Sequence, residues 1–267
     1  MASARLAHSL TAGYEIWTIL PMFTPLFRSG LSIAVTMAAF FLAAPSSIVR
    51  AESLLDPKSW TELSDWAMAG KVVGHPTKKE WKSIEPGDKL LYNGKAGKTG
   101  NLISKAEYGD VEVKVQFMIP KGSNSGIYFQ NRYEIQILDS YGKADEALKH
   151  GDCGGIYERW DDEKEGKHKG FEGTPPRTNA TTAPGTWQEF HIIFRAPRFA
   201  EDGKKTENAR FVRVVHNGVT IHENAEVTGP TRGGAAGPEL ASAPFKIQGD
   251  HGPVAFRKFE VKPLELD

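Results

Sequence analysis

The sequence predicts an all-β protein, a β-sandwich or jelly roll of two antiparallel sheets running from about Trp60 to Pro263. Three observations predict it: short alternating strands follow one another, Gly, Pro and Asn residues separate them, and the region lacks convincing helical periodicity. Only "ADEALKH" is long enough for one or two helical turns. Strands without intervening helices pack as two sheets rather than as a parallel sheet covered by helices.

The individual strands are predicted from alternation and turn chemistry. "VEVKVQFMI" (Val111–Ile119) has one apolar and one polar face. Asn217-Gly218 lies between two β-rich runs and predicts a type I′ hairpin, whose central residues both need positive φ. A second hairpin is expected at Asn131-Arg132. The other strands in chain order are "GIYFQ" (Gly126–Gln130), "YEIQIL" (Tyr133–Leu138), "EFHIIFRAP" (Glu189–Pro197), "RFVRVVHNGVTIHE" (Arg210–Glu223), "FKIQG" (Phe245–Gly249) and "VAFRKFEVK" (Val254–Lys262).

Composition narrows the functional classes. The chain has 267 residues, 40% hydrophobic and 25% charged, as in a soluble globular protein. Its formal net charge is zero, so no global field favours nucleic acid or an anionic membrane. The only cysteine, Cys153, leaves no intramolecular disulfide and is expected to be buried as a small hydrophobe. The core alone must therefore stabilise the fold, for which the roughly 215 residues after the leader suffice.

The first fifty residues have the features of a signal peptide. Leu31–Ala44 is an uncharged apolar run, shorter than the roughly 20 residues that cross a bilayer. Val49 and Ala51 occupy the −3 and −1 positions of a cleavage site before Glu52. An uncleaved anchor is the alternative interpretation.

These features predict the domain organisation. We expect residues 1–51 to be a signal peptide and leader, with translation starting at Met22 rather than Met1. Residues 52–267 would form one exported domain in the periplasm or outside the cell, without a stable membrane anchor.

A polar row interrupts the strand "RYEIQILDSYG". Glu134 and Gln136 share one face, whereas strict alternation sends Asp139 to the apolar side. A β-bulge at Ile137-Leu138 would return Asp139 to the polar face, and bulges are frequent beside active sites. The alternative is a water-facing strand, on which such a row has no function.

The segment Glu158–Ala180 is polar, charged and rich in Gly and Pro, and it is too long for an ordinary hairpin loop. It is either a solvated excursion or a lid that carries Trp160 and Phe171 as stacking groups. The sequence leaves both interpretations open.

Two carbohydrate-enzyme families resemble parts of this sequence. "EIQILD" resembles the Glu-x-Asp-x-x-Glu strand of laminarinase-type glycosidases, with Gln136 and Asp139 replacing two of the acids. Retaining glycosidases hold two carboxyls about 5–5.5 Å apart, and both replacements weaken that interpretation.

The second resemblance covers nearly the whole chain after the leader. Five blocks, in order, are similar to the 3-keto-disaccharide hydrolase family, which has a concanavalin-A-like jelly roll: "EYGDVEVKVQFMIPKGSNSGIYFQNRYEIQILDSYG", "CGGIYE", "NATTAPGTWQEFHIIFRAPRF", "HNGVTIHENAEVTGPTRGG" and "IQGDHGPVAFRKFEVKPL". The departure is Arg159–Arg177, where members of the family run more directly between the second and third blocks.

This resemblance implies elimination chemistry on a sugar oxidised at carbon 3. The ketone acidifies the proton at carbon 2, a base removes it, the group at carbon 1 leaves, and water adds back. We expect Glu134 to be the base and His251 or Asp139 to protonate the leaving oxygen. Arg132 and Tyr157 would donate hydrogen bonds to the sugar or the enolate. Gln136 would contact the sugar, and Trp160 would stack on it.

Alternatives of other classes stay open. A carbohydrate-binding jelly roll without activity would share the fold, since fold does not confer function; a conventional laminarinase-like glycosidase would share the cleft. We expect a carbohydrate partner, no nucleic acid and no cofactor. His216 and His222 are out of register for a metal pair, and no spacing indicates a zinc site. A structural calcium ion, as in related lectin folds, is an alternative that no motif supports. The oligomeric state is not predicted.

Overall fold

The computed structural model describes residues 50–267. The apolar run of the predicted signal peptide, the start at Met22 and residue Val49 lie outside the described residues. Between Arg50 and Asp267, no helix is long and apolar enough to cross a membrane. The first strand begins at Glu52, earlier than the predicted start of the jelly roll at Trp60, because Glu52 and Ser53 pair with Val261 and Glu260 near the end of the chain.

Sixteen strands and three short 3₁₀ helices make up this part of the chain. The helices are Pro57–Ser59, Asp145–Ala147 and Gly166–His168. The strands are β1 (Glu52–Ser53), β2 (Ala67–Gly74), β3 (Trp81–Tyr92), β4 (Leu102–Tyr108), β5 (Val111–Met118), β6 (Asn124–Phe129), β7 (Tyr133–Leu138), β8 (Arg159–Trp160), β9 (Gly170–Phe171), β10 (Trp187–Arg195), β11 (Arg198–Phe199), β12 (Lys205–Glu207), β13 (Ala209–His216), β14 (Val219–Val227), β15 (Ala243–Ile247) and β16 (Ala255–Pro263).

Two antiparallel sheets form the sandwich and confirm the predicted jelly roll. The larger sheet has the order β14-β13-β10-β5-β16-β3-β2, with β1 added beside β16. The smaller sheet has the order β4-β15-β6-β7. Neighbours that are distant in sequence, such as β5 and β16, join the two halves of the chain. Two further ribbons, β8-β9 and β11-β12, lie outside these sheets.

Aromatic residues from both sheets fill the space between them. Phe129 on the smaller sheet lies 5.0 Å from Phe194 and 5.2 Å from Phe211 on the larger sheet, centroid to centroid. All three are fully buried. Each buried Phe contributes about 1.5–3 kcal/mol by leaving water, and each such ring pair adds about 0.5–1.5 kcal/mol. Cys153 is also buried, as predicted, and burial raises the pKa of its thiol to about 12.

Both predicted hairpins are present, one with a turn that is one residue longer than predicted. Asn217 and Gly218 have φ of 47° and 83° and connect β13 to β14, as a type I′ turn requires. Between β6 and β7 the turn comprises residues 130–132, because Phe129 pairs with Tyr133. The turn therefore includes the predicted Asn131 and Arg132 and begins one residue earlier, at Gln130, which has positive φ like Asn131.

Candidate active site

The candidate active site lies on the face of the smaller sheet that points away from the core. Lys246, Tyr128 and Glu134 each lie between two core residues of their own strand, so alternation turns their side chains to this polar face. Strand register places Lys246 opposite Tyr128 and Tyr128 opposite Glu134. Beyond β7, the Tyr157 amide donates to the Glu134 carbonyl at 3.1 Å. The four residues therefore form a row across the sheet.

A second row of residues across the same sheet provides side-chain amides and room for the Glu134 carboxyl. The Gln248 amide donates to the Gly126 carbonyl at 3.0 Å, and Gly126 lies opposite Gln136. A Cβ on Gly126 would lie only 2.0 Å from Glu134 Oε1. The missing side chain at Gly126 is therefore what accommodates the Glu134 carboxyl.

The two rows form the floor of a cavity of about 300 Å³, which we call the Glu134 cavity. Loops from three parts of the chain add its walls. Its lining residues are Asn124, Tyr128, Glu134, Gln136, Tyr157, Arg232, Gly233, Gln248 and His251. Glu134 is the one carboxylic acid among them, and the other side chains are hydrogen-bonding groups. A cavity of this size and polarity suits a sugar ring.

Burial controls the protonation of Glu134. The residue is 2% exposed, and burial raises the pKa of its carboxyl to about 8. Hydrogen bonding from Tyr128 and the charge of Lys246 act in the opposite direction but do not offset the loss of water. A carboxyl with such a pKa is a stronger base, once ionised, than an exposed glutamate, which suits proton transfer near neutral pH.

Lys246 supports the row from its far end. Its Nζ lies 3.6 Å from the centroid of the Tyr128 ring and donates a hydrogen bond to the Gly233 carbonyl. Burial lowers the pKa of Lys246, while the charges of Glu134 and Asp250 raise it. The cation therefore stabilises the ionised form of Glu134 through space, with Tyr128 between them.

Arg232 is held over the cavity by the segment after Tyr157. Its guanidinium carbon lies 3.7 Å from the centroid of the Trp160 ring, and its Nη1 lies 4.0 Å from Glu158 Oε1. Its amide donates to the Glu158 carbonyl at 2.7 Å. Burial and the charges of Glu134 and Glu158 raise the pKa of Tyr157, whereas Arg232 lowers it. Arg232 and Tyr157 thus present positive charge and a hydroxyl donor beside Glu134.

His251 lines the Glu134 cavity from the loop between β15 and β16. Its Nδ1 lies 2.6 Å from Asp250 Oδ1, and about half of its side chain is exposed. The pairing with Asp250 directs the other ring nitrogen away from that carboxylate. His251 can therefore exchange a proton with a ligand in the Glu134 cavity.

The structure brings together four of the predicted site residues, Glu134, Gln136, Tyr157 and His251. Their roles stay predictions. Residues that the sequence analysis missed include Tyr128, Arg232, Lys246 and Gln248. Alternation on "GIYFQ" and "FKIQG" carries the signal for three of these, because Tyr128 and Lys246 lie between core residues and Gln248 shares the face of Lys246.

The structure corrects the predicted position of Asp139. The β6-β7 pairing is regular up to Asn124 opposite Leu138, so the predicted bulge at Ile137-Leu138 is wrong. Asp139 does not line the Glu134 cavity. Its carboxylate accepts a hydrogen bond from the Gly122 amide at 2.8 Å and pairs with Lys121 Nζ at 2.9 Å. Ordinary alternation therefore holds, and the loop before β6 satisfies the acid.

Arg132 and Trp160 do not line the cavity either. The Arg132 guanidinium donates to the carbonyls of Pro238 and Gln130, at 2.7 and 3.2 Å. It therefore supports the loop that carries Arg232, instead of contacting the cavity. Trp160 stacks on Arg232 rather than offering a free face.

The segment Arg159–Arg177 forms a small ribbon, β8-β9, with the 3₁₀ helix Gly166–His168 between its strands. The Phe171 ring contacts two cations of the same ribbon, since Arg159 Cζ lies 5.0 Å and Lys164 Nζ 3.9 Å from its centroid. The predicted stacking groups of this segment are therefore engaged within the chain. Its structural effect is to hold Arg232 through Trp160.

Within residues 50–267, no group of three or more His, Cys, Asp or Glu side chains could hold a metal ion. His216 and His222 point to different partners, Gln188 Oε1 at 3.0 Å and the Gly154 carbonyl at 2.7 Å.

Comparison with known proteins places the chain in a family. Residues 50–262 match the family described as the 3-keto-alpha-glucoside-1,2-lyase-like domain. No curated protein is similar to the chain at a significant level.

Among similar solved structures, one shares the fold with a TM-score above 0.5. A proposed glycosyl hydrolase from Parabacteroides distasonis is 24% identical with a TM-score of 0.52, over 80% of this chain and 84% of its own. A second one from the same organism is 18% identical with a TM-score of 0.45, over 77% and 99%. An alginate lyase from a Chlorella virus is 12% identical with a TM-score of 0.36, over 78% and 94%. With its jelly roll and a family match over residues 50–262, the chain belongs to the 3-keto-alpha-glucoside-1,2-lyase-like family of carbohydrate-active proteins.

Proposed function

We propose that this protein cleaves 3-keto-glucosides by elimination across carbons 1 and 2, followed by hydration. The observation that carries the proposal is the single carboxyl of the Glu134 cavity. Conventional glycosidases need two carboxyls on either side of the glycosidic bond. Elimination needs one base at carbon 2, stabilisation of an enolate, and a proton for the leaving oxygen. The lining residues supply one candidate group for each requirement.

Glu134 is the base. It removes the proton from carbon 2, and the electron pair of that C–H bond moves toward the ketone at carbon 3. Its buried position and raised pKa favour proton capture from a weak carbon acid. Gly126 leaves room for the carboxyl, so its position is fixed by the backbone of two adjacent strands.

Arg232 and Tyr157 stabilise the negative charge that develops on the oxygen at carbon 3. Both line the Glu134 cavity, and the Tyr157 amide donates to the Glu134 carbonyl. A guanidinium and a hydroxyl held before the reaction need no reorganisation when the charge appears, and one such donor contributes about 100- to 1,000-fold in rate.

His251 protonates the leaving oxygen as its bond to carbon 1 breaks. Its pairing with Asp250 at 2.6 Å fixes the orientation of the ring, so that the other nitrogen can donate to the leaving oxygen. The products of this step are the free alcohol and an unsaturated 3-keto sugar. Water then adds its oxygen to carbon 1 and a proton to carbon 2, so the net reaction is hydrolysis.

Turnover of matched sugars tests the proposal. Purified protein is incubated with 3-keto-trehalose or 3-keto-sucrose and, separately, with the unoxidised disaccharides, and released monosaccharide is measured. Release from the keto sugars alone supports elimination. Release from the unoxidised sugars would indicate a conventional glycosidase, and binding without release would indicate a carbohydrate-binding module.

We also propose that the domain acts outside the cytoplasm, because an apolar run and a cleavage pattern precede it in the sequence. N-terminal sequencing of protein recovered from the medium or periplasm should begin near Glu52. An intact leader on exported protein would contradict this.

A further inference from the structure

A second cavity of about 430 Å³ adjoins the Glu134 cavity. His251 lines both, so it forms the partition between them. We call the second one the Lys79 cavity. Three loops at one end of the sandwich form it: the β2-β3 loop with Lys79, the β3-β4 loop with Lys98, and the β15-β16 loop with Asp250 and His251.

The position of His251 between the two cavities indicates which part of the substrate would enter the Lys79 cavity. If His251 protonates the leaving oxygen, the glycosidic oxygen lies beside His251, with the keto sugar in the Glu134 cavity. The leaving group then extends past His251, and the adjoining space is the Lys79 cavity. This step rests on the proposed function.

The charged side chains of the Lys79 cavity indicate which kind of leaving group suits it. Neither Lys79 nor Lys98 has a salt-bridge partner among residues 50–267, whereas the one carboxylate of the cavity, Asp250, already pairs with His251. A Cβ on Gly252 would lie 2.7 Å from Lys79 Cε, so the Lys79 side chain runs along the Gly252 backbone next to His251. Two cations on separate loops therefore flank this space, and a neutral ligand bound there would leave both lysines without a counter-charge.

We propose that the Lys79 cavity is the leaving-group site and that it binds an aglycone carrying a negative charge, such as a carboxylate. Lys79 and Lys98 are its specificity-determining residues. An exposed ion pair contributes modestly, so two of them in a cavity should favour an anionic over a neutral aglycone by about three- to tenfold. Salt should weaken this preference, because exposed charges are screened.

The test uses two 3-keto-glucosides that differ only at the far end of the aglycone. One carries 4-hydroxybutanoate and the other carries 4-hydroxybutanamide, so the charge is remote from the glycosidic oxygen. The measured quantity is the ratio of kcat/KM for the carboxylate to kcat/KM for the amide. We expect a ratio of about three to ten, falling toward one in Lys79→Gln/Lys98→Gln and in high salt. Lys204→Gln, which changes an exposed lysine in the turn before β12, should keep the ratio.

A binding measurement separates this inference from the proposed function. Calorimetry on Glu134→Gln gives the dissociation constants of the same two compounds without turnover. Suppose that the wild-type protein cleaves neither compound, that the carboxylate nevertheless binds more tightly than the amide, and that Lys79→Gln/Lys98→Gln abolishes this difference. Elimination then fails and the anionic site stands. If both are cleaved with a ratio near one, or if the ratio persists in the double lysine variant, the anionic site is wrong and elimination stands.

Discussion

Two glutamates on opposite sheets show how one sequence pattern leads to different chemistry. Glu112 on β5 and Glu134 on β7 both alternate with core residues and both point away from the core. Glu112 Oε1 accepts a hydrogen bond from His191 Nε2 at 2.7 Å and lies 3.6 Å from Lys114 Nζ. Although burial alone would raise it, the pKa of Glu112 falls below its ordinary value because these partners outweigh burial.

Glu134 has the opposite balance. Its pKa rises to about 8 because burial outweighs the influence of Tyr128 and Lys246. The difference comes from what covers the strand: the loops carrying Tyr157, Arg232 and His251 enclose β7. The outer face of β5 is less enclosed, with Lys114 44% exposed. Alternation therefore places polar groups on a face, and the covering loops decide which of them are reactive.

The largest expected effect separates the two glutamates directly. Glu134→Gln should lower kcat on a 3-keto-glucoside by about 100- to 10,000-fold, because the base is lost while the shape is kept. Glu112→Gln is the matched control on the other sheet and should keep kcat within about twofold. Steady-state kinetics of both variants provides the comparison. Full activity in Glu134→Gln would remove its role as the base.

Gly126→Ala should have the next largest effect. The new methyl group would lie 2.0 Å from Glu134 Oε1, so the carboxyl must move. A displacement of about 1 Å costs roughly 100-fold in rate. Gly122→Ala is the control for a methyl group added outside the cavity: a Cβ there meets no atom within 4 Å, but the φ of 68° strains the backbone, so this variant should lose some stability and keep its kcat. Rates like those of the wild type in Gly126→Ala, with the fold intact by circular dichroism, would mean that the position of Glu134 is not critical.

The pH profile should report the charge of Lys246. Glu134 must be ionised to act, so kcat/KM should rise as pH increases through about 8. Lys246 favours ionised Glu134, and Lys246→Met should therefore move this rise to higher pH. At pH 7 the rate would fall by about tenfold for each unit of displacement. Lys246→Arg keeps the charge and should restore the profile. An unchanged profile in Lys246→Met would show that the two groups are not coupled.

A smaller effect concerns stability. The folded-state pKa of Glu134 is raised above its unfolded value of 4.5, so the folded protein holds this proton more tightly. That contribution to stability is fully present below pH 4.5 and is lost as pH rises through about 8. Glu134→Gln does not titrate, so relative to wild type it should gain roughly 1 kcal/mol per pH unit across this window. Urea unfolding at pH 5 and pH 8.5 measures the change, and a difference independent of pH would contradict it.

Much of this site could be predicted from local patterns. Alternation in "YEIQIL" predicts that Glu134 and Gln136 share a face, and the same argument would have found Tyr128, Lys246 and Gln248. The fold class followed from the strands and their turns. These features depend on neighbouring residues and on the period of a strand.

The remaining features depend on contacts between distant segments. Arg232 reaches the cavity because Trp160 and Glu158, more than seventy residues earlier in the chain, hold its side chain and backbone. Asp139 was placed in the site by assuming a bulge, and the donors at Lys121 and Gly122 that satisfy it lie in another loop. Neither arrangement has a periodic signature in the sequence.

The central claim is that cleavage proceeds by proton removal at carbon 2, and the fate of that hydrogen tests it. The reaction is run in heavy water with a 3-keto-glucoside, and deuterium at carbon 2 of the product is measured by mass spectrometry and NMR, with free 3-keto-glucose as the control for exchange. Elimination and hydration predict about one solvent deuterium at carbon 2 for each turnover. Product that keeps its original hydrogen at carbon 2, at full turnover, would contradict the account.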